Sequence, residues 1–391
     1  MSSSPTRTSD VHRFSVAVPD DDVEDLRRRL RTTRWPDAET VDDWSQGVPL
    51  RVLQDLCAYW ADGYDWPGRQ TRLNGVEQAL TEVDGLPIHF LHVPSAQPGA
   101  LPLVLTHGWP GSVVEFLDVL GPLTDPAAHG GDPADAFSVV APSLPGYGWS
   151  GKPAEAGWGL PRIADAWAEL MGRLGYRRFG VQGGDWGSFV AANLGARHPG
   201  RTVGVHLNMA SARPPRGFEP RTEREERAVR AARHYRTVDS GYAIQQQTRP
   251  QTLGYGLADS PAGQCAWILE KLWAWTDCAG DPVQALGADR VLDLVSVYWF
   301  TDSAASSARL YWESARDPSA LAPAVSVPAG ISVYPHDIYQ PLAAWAGEQF
   351  PDLRMWREHD RGGHFAAMEE PELFVEDVRD FFRPLRTTGT D

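Results

Sequence analysis

The sequence predicts an α/β fold built on a doubly wound, mostly parallel sheet, and three observations lead to that prediction. Continuous apolar runs of about five or six residues recur along the chain, as expected of parallel strands that are buried on both faces. Segments with helical spacing separate these runs. A glycine-rich stretch at 183–187 places an acidic residue at a sharp strand-to-helix turn, the edge at which such sheets carry functional residues.

The individual elements are predicted in chain order. Alternation at 14–18 indicates an extended segment, and a cluster of aspartates predicts a helix that begins near Asp20. Asp84-Gly85 between two alternating runs predicts a hairpin. The strands are expected at 80–83, 88–93, 101–106, 137–141, 179–182, 202–207, 331–334 and 353–357, and further helices at 50–62, 223–233 and 371–382.

The same patterns divide the chain into four parts. Residues 1–75 carry four tryptophans between prolines, which indicates a meander wrapped around a larger body; an independent small domain is the alternative. Residues 76–212 and 324–391 hold the strands of the core. Residues 213–323 are mostly helical and are predicted to form a lid inserted into that core. The first ten and the last five residues are predicted to be disordered.

Composition narrows the class of protein. The 36 basic and 51 acidic side chains give a net charge of −15, which argues against nucleic acid or an anionic membrane as a partner. Cys57, Cys265 and Cys278 have neither metal-ligand spacing nor the even number of a disulfide framework. Neither a signal peptide nor a long apolar run is present. A cytoplasmic protein without metal is therefore expected.

The turn at 183–187 reads Gly183-Gly184-Asp185-Trp186-Gly187, the pattern of a nucleophile elbow with Asp in place of Ser. The glycines are expected because a side chain there would collide with the neighbouring strand or helix. A carboxylate held at such a turn can attack a saturated carbon and form an alkyl ester, whereas serine would form an acyl-enzyme. The alternative interpretation of Asp185 is an acidic residue that stabilises a helix N-terminus.

Two further motifs are expected at the same edge of the sheet. His107-Gly108-Trp109-Pro110-Gly111-Ser112 follows the strand at 101–106 directly, so the backbone N–H groups of Trp109 and Trp186 could stabilise an oxyanion. His364 follows the last predicted strand and two glycines, and histidine titrates in the range that a general base needs.

Asp337, after the strand at 331–334, is the preferred acid to orient His364. The order nucleophile, acid, histidine is that of the nucleophile-elbow hydrolases. Three other aspartates are alternatives to Asp337. Asp302 and Asp317 belong to the predicted lid, and Asp360 is close to His364 in sequence.

Together these motifs resemble the epoxide hydrolases of the α/β-hydrolase superfamily, in particular the microsomal-type branch, over nearly the whole chain. The resemblance implies the α/β-hydrolase fold. Many microsomal members carry Glu where this chain has Asp337, and they carry an N-terminal membrane anchor that is absent here. The matching segments are 107–112, 183–188, 361–367 (Arg-Gly-Gly-His-Phe-Ala-Ala), 369–373, 259–263 and 268–271.

The resemblance also implies two lid tyrosines that bind and protonate an epoxide oxygen. Local context favours Tyr242 and Tyr311; Tyr235, Tyr255 and Tyr298 compete with them. The expected activity is addition of water to an epoxide to give a vicinal diol, without cofactor or metal, through an ester on Asp185.

An apolar or aryl epoxide is the expected substrate, and a homodimer, like a detoxifying or a biosynthetic role, is left open. The nearest alternative is a haloalkane dehalogenase, with Trp186 as a halide donor. The lid tyrosines disfavour it because a halide leaves without a proton. A non-catalytic binding protein of the same fold is disfavoured because no member of the catalytic set is missing.

Overall fold

A nine-stranded sheet lies at the centre of the part of the chain that the structure describes, residues 11–210 and 212–388 of a computed structural model. Its order is β1-β2-β3-β5-β4-β6-β7-β8-β9. The strands are β1 (His12–Phe14), β2 (Gln78–Val83), β3 (Leu86–Val93), β4 (Leu101–Thr106), β5 (Phe137–Pro142), β6 (Phe179–Gly183), β7 (Thr202–Leu207), β8 (Ala329–Val333) and β9 (Leu353–Glu358).

The strands from β5 to β9 pair in parallel, whereas β1, β2 and β3 form an antiparallel extension that joins β5. The predicted doubly wound, mostly parallel sheet is confirmed. Strands β5 and β7 are buried along their whole length because helices cover both faces of the sheet. The predicted hairpin is also present, with positive φ at both Asp84 and Gly85.

Several strand predictions are displaced. Strand β2 begins at Gln78 instead of 80, and β3 begins at Leu86 instead of 88. The extended segment expected at 14–18 is replaced by β1 at His12–Phe14. Further along, the backbone N–H groups of Val16 and Val18 donate to the side chains of Asn74 and Gln70, at 2.8 Å each, so these residues do not pair with a strand. Strand β8 begins at Ala329 and not at 331. Ala329 and Gly330 pair with β7 and β9, but their small side chains do not extend the apolar run from which the strand was predicted.

Helices follow most of the expected bounds. Several helices were not predicted individually. One of them is α3 (Trp66–Asn74), whose N-terminus is capped by Asp65 through an oxygen that accepts the N–H of Gly68. The helices are α1 (Asp20–Arg31), α2 (Leu50–Asp62), α3 (Trp66–Asn74), α4 (Leu117–Thr124), α5 (Leu160–Arg173), α6 (Trp186–Arg197), α7 (Glu223–His234), α8 (Gly241–Thr248), α9 (Pro250–Asp259), α10 (Pro261–Trp275), α11 (Pro282–Leu286), α12 (Ala288–Phe300), α13 (Ala304–Ser314), α14 (Ala343–Ala346), α15 (Ala366–Glu369) and α16 (Pro371–Phe382).

Helices α7 to α13 lie between β7 and β8 in sequence, and a π-helical turn, Tyr235–Asp239, joins α7 to α8. Within the described ranges, no helix has the length and apolar character needed to cross a bilayer. The predicted disorder of the first ten and last three residues lies outside the described part. Thr387 and Thr388, also predicted to be disordered, end a 3₁₀ helix.

Polar contacts tie the N-terminal helices to α12. The Trp60 indole donates to Ser296 Oγ at 3.0 Å. Asp293 Oδ1 accepts from Tyr64 Oη at 2.8 Å and from Arg69 Nε at 2.7 Å, and Arg69 pairs with its second oxygen as well. These contacts hold α2 and α3 against the helices inserted between β7 and β8.

We expect Asp293→Ala to lower the free energy of unfolding by about 3 kcal/mol, because the substitution leaves a half-buried guanidinium and a buried phenol without their acceptor. Urea-induced unfolding followed by tryptophan fluorescence measures the change. Asp55→Ala is the control, since Asp55 and its partner Arg51 are 74% and 90% exposed and its removal should cost less than about 0.5 kcal/mol. Equal effects of the two substitutions would contradict the prediction.

Candidate active site

The turn between β6 and α6 holds Asp185 in a strained backbone conformation, with φ 50° and ψ −127°. Glycines make the turn possible. A Cβ at Gly183 would overlap the carbonyl of Gly187, and a Cβ at Gly187 would overlap the carbonyl of Thr106 at the end of β4. The collision expected from the sequence is therefore present. The turn raises the Asp185 side chain above the carboxyl ends of the parallel strands.

Asp185, His364 and Asp337 come together from three separate loops. His364, between β9 and α15, places Nδ1 2.7 Å from Asp337 Oδ1 and Nε2 3.5 Å from Asp185 Oδ2. Asp337 follows β8, and its Oδ1 also accepts the N–H of Ile338 at 2.7 Å. All three side chains are buried, so each charge depends on its neighbours for stabilisation.

The loop after β4 supplies a backbone donor to the same carboxylate. The N–H of Trp109 donates to Asp185 Oδ1 at 2.8 Å. Gly108 allows this close approach, because a Cβ there would overlap the Asp185 carboxylate. Trp186 is the first residue of α6, and an N–H at that position has no partner within its own helix. Both N–H groups proposed for the oxyanion hole thus border Asp185.

Two tyrosines from separate helices cover this edge of the sheet. Tyr242 on α8 stacks on Trp109, with ring centroids 4.9 Å apart, and Tyr311 on α13 meets the edge of Trp186 at 4.6 Å. The two phenol rings are 5.8 Å apart, and Trp275 packs against both Tyr242 and His364. The structure therefore encloses Asp185 in a largely aromatic chamber.

The competing tyrosines lie in other environments. Tyr298 is buried, but its hydroxyl donates to the carbonyl of Gly111 at 2.9 Å. Tyr255 is 71% exposed. Tyr235 is next to the chamber, with its hydroxyl 3.2 Å from that of Tyr242.

The competing aspartates are all exposed. The Asp302 carboxylate pairs with Lys152 at 3.1 Å, and that of Asp317 accepts from Ser319 Oγ at 2.6 Å. Asp360 lies on the surface after β9. Among the aspartates weighed from the sequence, Asp337 is the one whose carboxylate contacts the His364 ring.

Comparison with known proteins identifies the family. Residues 11–116 match the model described as "Epoxide hydrolase N terminus", and residues 102–251 match the model for the alpha/beta hydrolase fold. A Stigmatella aurantiaca (strain DW4/3-1) protein assigned to the epoxide hydrolases is 51% identical over 95% of this chain and 85% of that protein. Epoxide hydrolase 1 of Oryctolagus cuniculus is 34% identical over 95% of this chain and 88% of that protein.

The chain belongs to the epoxide hydrolase family.

Solved structures of the family share the architecture. The Aspergillus niger epoxide hydrolase superposes with a TM-score of 0.87 and 32% identity, over 97% of each chain. The juvenile hormone epoxide hydrolase of the silkworm Bombyx mori superposes with a TM-score of 0.88 and 31% identity, over 97% of this chain and 95% of that one. The predicted α/β-hydrolase fold is confirmed.

Electrostatics in this epoxide hydrolase favour a charged histidine. Burial by itself lowers the pKa of His364, but the adjacent carboxylates of Asp337 and Asp185 outweigh burial and raise that pKa to about 10. Burial raises the pKa of Asp337, and the His364 charge opposes that rise. The resting site therefore holds an imidazolium between two carboxylates.

Glu115 is a member of the site that the sequence did not reveal. It lines a small cavity together with Asp185 and His364. Burial raises its pKa to about 8, partly offset by the His364 charge, so the carboxyl group is largely protonated at neutral pH. Its Oε1 accepts the N–H of Ser112 at 2.9 Å. The only available signal was the capping pattern from Ser112 to Glu115, which indicates a helix start and not a site residue.

No cluster of three or more His, Cys, Asp or Glu side chains within the described residues is arranged to hold a metal ion. The polar groups around Asp185 are instead the His364 imidazole, the Trp109 backbone N–H and the Glu115 carboxyl group. Such groups can transfer protons and stabilise an oxyanion.

We expect NMR titration of ¹⁵N-labelled histidine to place the pKa of His364 near 10 in the resting enzyme. Asp185→Asn should lower that pKa by about 1–3 units, because one of the two carboxylates that favour the imidazolium is lost. Asp165→Asn is the control, since Asp165 contacts Arg197 and His198 on the surface and not His364. An unchanged His364 titration in Asp185→Asn would show that the two side chains do not interact.

Proposed function

We propose that this epoxide hydrolase opens an apolar or aryl epoxide through a covalent ester on Asp185 and releases a vicinal diol with water. One observation carries this proposal: the two carboxylate oxygens of Asp185 have different partners. Oδ1 accepts the Trp109 N–H, and Oδ2 faces His364 Nε2. One oxygen is therefore placed for an oxyanion site, and the other lies beside a base.

In the first step, the hydroxyls of Tyr242 and Tyr311 hold the epoxide oxygen. An oxygen of Asp185 attacks a ring carbon from the opposite side, the C–O bond breaks, and a tyrosine proton neutralises the alkoxide. The product is a hydroxyalkyl ester and a tyrosinate. Two contacts support this arrangement. Tyr242 stacks on the ring of Trp109, whose N–H donates to Asp185, and Tyr311 contacts the ring of Trp186, the residue after Asp185.

Esterification prepares the second step. The ester removes the charge of Asp185, so the pKa of His364 falls, the imidazolium releases its proton to solvent, and the neutral imidazole becomes available as a base, oriented by Asp337. His364 takes a proton from water, and the hydroxide attacks the ester carbonyl carbon. The N–H groups of Trp109 and Trp186 stabilise the oxyanion, a contribution of about 3–4 kcal/mol per donor in comparable sites. The bond from the carbonyl carbon to the substrate oxygen then breaks, and the substrate oxygen takes the proton from His364 as the diol leaves. The carboxylic acid left on Asp185 returns its proton to His364, which restores the resting state.

The division of the chain supports the same scheme. We assign 1–75 to a segment that wraps the core, 76–212 and 324–391 to the α/β core, and 213–323 to the lid. The core supplies Asp185, His364 and Asp337, and helices α8 and α13 of the lid supply the two tyrosines. Aromatic walls favour apolar or aryl substrates over highly polar ones.

We expect His364→Gln to accumulate the ester after one turnover, since Asp185 can still attack but no base activates water. Mass spectrometry should find the mass of one intact styrene oxide molecule on the peptide that contains Asp185. The Asp185→Ala variant should form no adduct and should not produce the diol. The His198→Gln variant is the control and should keep full turnover. A single turnover in oxygen-18 water that labels the diol directly would contradict the covalent scheme.

Rapid measurements should separate the pH dependences of the two steps. Hydrolysis of the ester is expected to accelerate as pH rises, because only the neutral imidazole of His364 accepts a proton from water. Ester formation does not need that neutral form and should persist at acidic pH. Stopped-flow tryptophan fluorescence with excess enzyme resolves the two phases. Identical pH dependence of the two phases would remove His364 from its proposed role in ester hydrolysis.

A further inference from the structure

The two phenols that face Asp185 lie in unlike surroundings, and the following inference rests on the proposed function. We propose that Tyr235 and Lys271 assign the two lid tyrosines different tasks: Tyr242 gives its proton to the opening epoxide, and Tyr311 donates a hydrogen bond but keeps its proton. Tyr235 and Lys271 act as positioning residues, since they contact Tyr242 and not the substrate.

Tyr235 provides the first asymmetry. Its hydroxyl is 3.2 Å from that of Tyr242, so it can donate to the oxygen of Tyr242 while Tyr242 donates to the epoxide. Once Tyr242 loses its proton, this contact becomes a hydrogen bond to a phenolate. Hydrogen bonds to a charged acceptor are stronger than neutral ones, so Tyr235 favours the state that follows proton transfer. Tyr235 lies in the π-helical turn Tyr235–Asp239, an irregularity often found near functional sites.

Lys271 provides the second asymmetry. Its Nζ lies 4.7 Å from the ring centroid of Tyr242, and its side chain is only 3% exposed. Asp239 fixes that position, because Oδ1 pairs with Lys271 at 2.6 Å and Oδ2 accepts the Trp275 indole N–H at 2.6 Å. Glu270 also contacts the ammonium, at 2.8 Å. A cation held against the ring favours the phenolate over the phenol.

Tyr311 has weaker support. A hydrogen bond from Tyr242 lowers the pKa of Tyr311, but that bond is lost when Tyr242 donates to the epoxide instead. The Tyr311 ring meets the edges of Trp186, Trp109 and Tyr242, which offer no positive charge. Burial is the largest cause that raises the pKa of both phenols. The second largest cause at Tyr311 is the negative charge of Asp185. At Tyr242 the charge of Asp185 also raises the pKa, but by less than the neighbouring tyrosines do. The titratable and charged groups that face the two phenols are Tyr147, Asp185, Tyr235, Asp239, Glu270 and Lys271.

The proton that Tyr242 gives up can return through Tyr235. Tyr235 lines a cavity of about 340 Å³ whose rim includes the exposed side chains of Arg227, Arg230, His234 and His336. Tyr235 passes its proton to the Tyr242 phenolate and receives one from water in this cavity. This proton balances the one that the His364 imidazolium releases to solvent after the ester forms, so the reaction as a whole consumes no proton.

A double-mutant cycle on the rate of ester formation tests the inference. In the wild-type background, Tyr235→Phe should slow ester formation from styrene oxide by about 10–100-fold, the factor expected for one hydrogen bond to a charged group. In a Tyr242→Phe background, Tyr235→Phe should have no further effect, because the residue acts through Tyr242. In a Tyr311→Phe background, the full factor should remain.

The pH dependence supplies a second readout that a purely structural role would not change. In the resting site Tyr242 donates to Tyr235, which raises the pKa of Tyr242. When Tyr242 donates to the epoxide, the direction of this bond reverses and Tyr235 becomes the donor. Loss of the reversed bond should raise the pKa of Tyr242, and the alkaline limb of ester formation should therefore move to higher pH in Tyr235→Phe. The rate of ester hydrolysis is the control for folding, since it depends on His364 and should stay unchanged in this variant.

Two results would overturn the inference: an equal effect of Tyr235→Phe in all three backgrounds, or an effect that disappears only in the Tyr311→Phe background. Either leaves the proposed function intact, provided that the wild-type enzyme forms the Asp185 adduct. An absence of that adduct in the wild-type enzyme would instead contradict the proposed function, so the two failures are distinguishable.

Discussion

The close approach of α6 to the end of β4 is the constraint on which the site depends. Gly187 contacts the carbonyl of Thr106 so closely that any side chain would overlap it, and Gly183 meets the carbonyl of Gly187 in the same way. This crowding holds Asp185 at a positive φ and fixes the direction of its carboxylate. The Trp109 N–H and the His364 ring are then arranged around this carboxylate.

Burial makes the electrostatics of the chamber interdependent. A protonated His364 is stable there because Asp185 and Asp337 each provide a negative charge. Forming an ester on Asp185 removes one of those charges, so the chemistry of the first step changes the proton affinity of the base that the second step uses. In the proposed mechanism, one imidazole therefore stabilises the resting carboxylate and later activates water.

The inserted helices contribute the groups that the sheet cannot. Helices α8 and α13 bring Tyr242 and Tyr311 over Asp185, and α12 is tied to the N-terminal helices through Asp293 and Ser296. The N-terminal segment is therefore bonded directly to one of the inserted helices. This link explains why a region without a residue in the proposed catalytic set is packed against the inserted helices, with Trp60 and Trp66 buried.

The sequence alone determined the fold, the elbow and the family, because glycine spacing, buried apolar runs and long motifs are local signals. Residues such as Asp185 and His364 follow from those motifs. Tertiary structure decided which distant side chains meet. The aspartate that contacts the histidine is Asp337, and not Asp302, Asp317 or Asp360. The further side chains that border the chamber are those of Tyr235, Lys271 and Glu115. These neighbours come from loops and helices far apart in the chain, so no local pattern encodes their contact. Packing of the helices inserted between β7 and β8 on the sheet creates it.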